Sequence, residues 1–125
     1  MSMDEYVISS QVLKLVSSHL ICPEMGGILG VDDSNTVVAF CFDKNGVTEE
    51  TAYFPDVKYL NQIIQDWYNK GIYFVGFAHS HPKTSINLSE PDLYYANKIK
   101  NLCGLSEILM LLYIPQTGCF YQYAV

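Results

Sequence analysis

The stretch GFAHSHPKTSINLSEPD, Gly76 to Asp92, changes character twice within a short length of chain. It begins inside an apolar run that starts at Ile72, and such a run reads as a buried strand ending at His81. Pro82 stops the strand, because proline brings no N–H to a ladder. Lys83–Leu88 is a loop. Ser89 then stands where a helix cap belongs, and Asp92 three residues on resembles the partner in a capping box. Side chains alternate faces along a strand, so His79 and His81 point the same way and Ser80 points opposite.

Working outward, the upstream chain supplies further elements. Ser9 or Ser10 caps a helix through about Leu20, with Val12, Leu15, Val16 and His19 on one stripe. Cys22-Pro23 ends it. Gly27–Val31 is a short strand, Asp32–Asn35 a turn, and Thr36–Phe42 a β-branched and aromatic strand. Asp43-Lys44-Asn45-Gly46 is a hairpin signal that sends Val47–Phe54 back as the next strand. Pro55 suits the first turn of a second helix with Val57, Leu60, Ile64 and Trp67 on its apolar face, closed at Lys70-Gly71. Downstream, a third helix runs from near Ser89 to Cys103-Gly104. Glu107–Ile114 and Cys119–Ala124 make a last hairpin. The expected order is α-β-β-β-α-β-α-β-β. Hairpins mix with helical crossovers, which predicts an α/β (α+β) fold with a mixed sheet sandwiched by helices.

The 125 residues fit one domain with a real hydrophobic core. The apolar runs are too short for a membrane span, and the N-terminus lacks the pattern of a signal peptide. With a net charge of −6 and only seven Lys and Arg, no basic patch for nucleic acid or membrane is expected. Cys22, Cys41, Cys103 and Cys119 form no ligand or disulfide spacing, so they read as reduced thiols in a cytoplasmic protein and as small buried hydrophobes. His19 reads as a core residue on its helix stripe.

Two imidazoles on one strand face can bite a single metal ion, and zinc takes nitrogen and carboxylate ligands while a catalytic site keeps a position open for water. Taken alone, the same pair is also explained as polar groups at a sheet edge. Ser89 and Asp92 are likewise explained by local capping. The conjunction of same-face histidines, a chain stop, a capping serine and an acid in one unit favours the metal. A hydrolytic zinc also wants a general base. Spacing cannot choose among thirteen acids. Glu24 stands out by context, lying in CPEMGGILG between a helix end and a glycine-containing strand, although an ordinary solvated loop acid would look the same.

His79-Ser80-His81-Pro82, six residues, Ser89, two residues, Asp92 matches the signature of the JAMM (MPN+, Mov34/JAB) zinc metalloproteases, and Glu24–Gly30 resembles that family's upstream stretch. The resemblance implies a cytidine-deaminase-like JAB/MPN core. It implies that His79, His81 and Asp92 bind Zn²⁺, with water in the fourth place. It gives Glu24 the role of proton acceptor and donor, and Ser89 that of a hydrogen-bond donor to the oxyanion. The implied reaction is hydrolysis of a peptide or isopeptide bond after the C-terminal glycine of a ubiquitin-like or sulfur-carrier protein. The chain has no room for the insertions of long deubiquitinases, and it looks more like small stand-alone prokaryotic or phage members. By position rather than by the resemblance, Thr48–Phe54 could offer a strand edge to an extended tail, although an ordinary sheet strand is the simpler reading. Two other functions are compatible with the resemblance: a non-catalytic MPN-type scaffold, disfavoured by the complete ligand set, and a zinc hydrolase of a small amide.

Overall fold

The computed structural model describes residues 6–44, 46–48, 53–54 and 56–125. Along the chain the elements are β1 (Val7–Ile8), α1 (Ser10–His19), β2 (Gly26–Val31), β3 (Thr36–Phe42), β4 (Val47–Thr48), β5 (Tyr53–Phe54), α2 (Val57–Tyr68), β6 (Tyr73–Ser80), α3 (Glu90–Leu102), β7 (Leu109–Ile114) and β8 (Cys119–Ala124). Six strands form one mixed sheet in the order β1-β3-β2-β6-β7-β8, and β4 pairs with β5 separately. The β2 strand runs antiparallel to β3 and β6, whereas β6 and β7 are parallel across the α3 crossover. The expected mixed sheet with helices on both faces is therefore what the chain forms.

Each face of the sheet buries its own apolar layer. On one, Val12, Val16 and Leu20 of the α1 segment pack on Leu29, Val37, Ala78 and Leu111. On the other, Leu60 of α2 and Ala96 of α3 pack on Ile28, Phe77 and Met110. Burying one such large side chain contributes ~1.5–3 kcal/mol, and β2 and β7 are buried along their whole length. Close strand approach has a sequence cause at two positions. A Cβ on Gly76 would lie 1.8 Å from the Leu109 carbonyl oxygen, and one on Gly27 would lie 2.3 Å from that of Cys41. The sheet also curls. Tyr6, next to edge strand β1, donates its hydroxyl to Glu107 Oε2 at 3.0 Å, and its carbonyl accepts from Gln122 Nε2 of the opposite edge strand β8 at 3.2 Å.

Local signals set the helix boundaries. Ser9 caps α1, its Oγ accepting from the Val12 amide. Ser89 and Asp92 form a full capping box at α3. Gly71 and Gly104, just past α2 and α3, have φ of +77° and +67°, where glycine carries no Cβ penalty. Asp32 Oδ1 accepts from the Ser34 and Thr36 amides, which fixes the β2–β3 turn.

Two expectations are corrected. The order gains β1, whose two residues are too few to show a period. Val47–Phe54 does not return as one strand along β3. Its described ends pair with each other, Val47 with Phe54 and Thr48 with Tyr53, while residues 49–52 lie outside the described residues. The turn after β3 does form, with the Gly46 amide bonded to the Asp43 carbonyl. Asp43, however, donates its amide to Gly26 and accepts the Asp56 amide at 2.8 Å on Oδ2, which steers the chain toward α2. The strand edge expected over Thr48–Phe54 thus falls largely outside the described residues. So does Pro55, and the cap of α2 is Asp56. No described helix is long and apolar enough to cross a membrane.

Candidate metal centre

Antiparallel pairing of β2 and β6 sets Gly26 opposite His79, so the end of β6 lies beside the start of β2. The segment joining α1 to β2 therefore delivers Glu24 to the histidines, although 55 positions separate Glu24 from His79 in the chain. The strand ladder continues past β6, with the Ser80 amide bonded to the Met25 carbonyl and the His81 amide to the Tyr113 carbonyl. His79 and His81 share the face covered by α3. The 82–88 loop and the capping box then bring Asp92, in the first turn of α3, back over both rings.

The donor atoms converge. His79 Nε2 and His81 Nε2 are 2.9 Å apart, and Asp92 Oδ2 lies 3.3 Å from the first and 3.1 Å from the second. Glu24 Oε1 stands 3.7 Å from His81 Nε2. Ligands held tetrahedrally ~2.0–2.1 Å from a zinc ion are separated by about 3.3–3.5 Å; the separations of 2.9–3.3 Å here are slightly shorter, so the three atoms would open by a few tenths of an ångström around one such ion. The hydrogen-bond chemistry points the same way. His81 Nδ1 contacts the Ser85 carbonyl at 3.0 Å, and a carbonyl only accepts, so Nδ1 carries the proton. Nε2 of His81 therefore faces two carboxylates, a contact satisfied either by a second proton on the ring or by a cation held between them. Glu24, His79 and His81 are all buried, and their ligand atoms lie within 4.8 Å of one another, a group that could hold a metal ion.

The electrostatics follow from this burial. Desolvation pushes the Glu24 carboxyl up, and the neighbouring histidines only partly offset it. Burial alone would lower His81, but its bonds to Asp92 and the Ser85 carbonyl, with the Glu24 and Asp92 charges, raise it overall. Burial would raise Asp92, yet both histidines and the Ser89 amide hold its carboxyl well below the usual range. Asp92 Oδ2 also accepts the Ser89 amide at 2.9 Å, while Ser89 Oγ accepts the Asp92 amide at 3.2 Å. A hydroxyl has one donor and two acceptor sites, so capping leaves the Ser89 O–H able to donate.

All five residues singled out by the motif thus lie in one neighbourhood, four of them through side-chain contacts at the centre and Ser89 through the cap that orients Asp92. Sequence reasoning left three supports unidentified. Ser80 Oγ bonds main-chain groups of the segment carrying Glu24. The Ser85 carbonyl orients His81. Tyr123 Oη donates to the Ile86 carbonyl, holding the 82–88 loop. Main-chain partners leave no mark in the sequence that would have found them. Two other expectations fail. His19 is exposed rather than in the core, its Nδ1 2.8 Å from the Leu15 carbonyl and its ring 5.4 Å from that of Phe42. Cys22 and Cys103 are exposed beside helix ends, Cys119 is exposed on edge strand β8, and Cys41 is half-buried on β3.

No protein-family model and no curated protein matches the sequence. Solved structures do match the fold. Protein DSY2949 from Desulfitobacterium hafniense, a solution structure, superposes with a TM-score of 0.67 at 19% identity, over 97% of this chain and 84% of that one. The crystal structure of AF2198, a JAB1/MPN domain protein from Archaeoglobus fulgidus, gives 0.59 at 17% identity, over 97% and 89% respectively. Identities this low carry the architecture alone, and on that architecture the chain has the JAB1/MPN fold.

Proposed function

We propose that this chain is a zinc-dependent metallopeptidase that hydrolyses the peptide or isopeptide bond after the C-terminal glycine of a ubiquitin-like or sulfur-carrier protein. The observation that carries this reading is the convergence of His79 Nε2, His81 Nε2 and Asp92 Oδ2 within 3.3 Å of one another, with a buried carboxylate 3.7 Å from His81. The substrate class rests on the motif resemblance.

His79, His81 and Asp92 would hold the zinc through two nitrogens and one oxygen. Zinc, when bound, supplies Lewis acidity toward the scissile carbonyl and brings the pKa of a water toward ~7. Glu24 accepts the proton of the attacking water on its carboxylate and passes it to the departing nitrogen, which leaves as an amine. Its buried position 3.7 Å from His81 Nε2 places it for both halves of that exchange. Ser89 donates its O–H to the developing oxyanion, a bond of the kind worth ~3 kcal/mol in the transition state.

The test is a glycine-terminated fusion of a ubiquitin-fold protein incubated with the zinc-loaded chain. Cleavage after the terminal glycine, lost on Glu24→Gln with zinc retained, is the expected result. A Glu24→Gln protein that cleaves as fast as the parent contradicts the base assignment.

A further inference from the structure

Ser80, between the two histidines, points to the opposite face of β6 and is fully buried. Its single hydroxyl proton is donated to the Cys22 carbonyl at 2.7 Å, and its oxygen accepts the Met25 amide at 3.0 Å. The Ser80 amide in turn donates to the Met25 carbonyl at 2.9 Å. Side chain and main chain of this one residue therefore hold both ends of a short segment whose middle is Pro23-Glu24. That segment reaches across 55 to 58 positions of sequence to the strand that carries His79 and His81.

We propose that Ser80 is the positioning residue for Glu24: its hydroxyl ties the Cys22–Met25 segment to β6 and so fixes the Glu24 carboxylate at its distance from His81 Nε2. The inference rests on the metal-centre reading. The geometry explains why the residue between the histidines carries a hydroxyl. An apolar side chain there would fill the space but leave the Cys22 carbonyl and the Met25 amide without this partner. The Glu24 carboxylate then loses its fixed place beside the cation site. Loss of an outer-shell group of the kind Glu24 is in this reading typically changes metal affinity or activity by ~10–100-fold.

Zinc affinity measured by chelator competition, on the parent, Ser80→Ala, Glu24→Gln, the double variant and Ser80→Thr, tests this without any substrate. Glu24→Gln is expected to weaken zinc about tenfold while still loading one ion at saturating metal. Ser80→Ala should weaken it by a similar factor, and the double variant no further than Glu24→Gln alone. Ser80→Thr, which keeps the hydroxyl, should restore parental affinity. Hydrogen exchange of the metal-free proteins should show the Met25 amide protected in the parent and opened in Ser80→Ala. If Ser80→Ala does not fold, Ser80→Cys, close in volume with a weaker hydrogen bond, takes its place in the cycle. Effects that multiply in the double variant would mean that Ser80 acts on the histidine strand rather than through Glu24, and would overturn the inference, as would a Ser80→Ala protein with unchanged zinc affinity. A parent chain without zinc affinity would instead sink the metal centre itself.

Discussion

Asp92 Oδ2 accepts from the Ser89 amide and faces both Nε2 atoms, so one oxygen belongs to the helix cap and to the cation site together. This shared use makes the residues separable by what they lose. His81→Ala removes one of three donors and should abolish stoichiometric zinc at micromolar metal, as read by inductively coupled plasma mass spectrometry after gel filtration. Glu24→Gln should keep one zinc and lose ~10²–10⁴-fold in turnover, the usual worth of a positioned acid–base group. At this scale the sequence was legible where spacing is chemistry. The His-x-His alternation and the Ser-x-x-Asp cap both stand as read. The supports of Glu24 and His81 were not, because the Cys22, Met25 and Ser85 main-chain groups that hold them are the same in any sequence.

Elements carry the site through two features, the α3 cap and the close β6–β7 approach. Ser89→Ala should cost about 1 kcal/mol of stability through the cap, read as a lower melting temperature. It should also cost ~10²–10³-fold in turnover through the lost donor. A stability loss with turnover kept would confine Ser89 to capping. Gly76→Ala forces a methyl against the Leu109 backbone, and a misfit of that kind costs typically 1–3 kcal/mol and occasionally more. Chemical denaturation should show at least the upper part of that range, and parental stability would contradict the packing. Long periodic segments such as α1, α2 and β6 were legible from their apolar spacing. Two-residue strands were not. Val7–Ile8 is too short to show a pattern, and Val47–Phe54 read as a continuous strand because nothing local shows that Asp43 turns inward to hold the Asp56 amide. His19 misled for a related reason: it lies on the apolar stripe at the open end of α1, where the ring leans on Phe42 and stays exposed.

At the scale of the whole molecule, the sheet curls enough for Tyr6, beside edge strand β1, to accept a bond from the Gln122 side chain of edge strand β8. Burial first, then the bond to Glu107, pushes the Tyr6 hydroxyl from 10.0 up to about 12. Below pH 10 the folded and unfolded chains both keep this proton, and the contribution is present in full. Between pH 10 and 12 the unfolded chain releases a proton that the fold retains, so stability must fall as pH rises. The melting temperature should drop across that window, and Tyr6→Phe should flatten part of the drop. An unchanged pH slope in the variant would remove Tyr6 from the closure. Nothing in the sequence announced the curl, since Tyr6 and Glu107 lie 101 positions apart and belong to no motif. The central claim is that two imidazole nitrogens and a carboxylate oxygen, drawn from a strand end and the helix that follows it, hold one zinc ion. X-ray absorption at the zinc edge of the loaded protein tests it most directly. The account predicts a four-coordinate shell of two imidazole nitrogens and two oxygens at ~2.0–2.2 Å, and a shell containing sulfur at ~2.3 Å, or lacking imidazole, would contradict it.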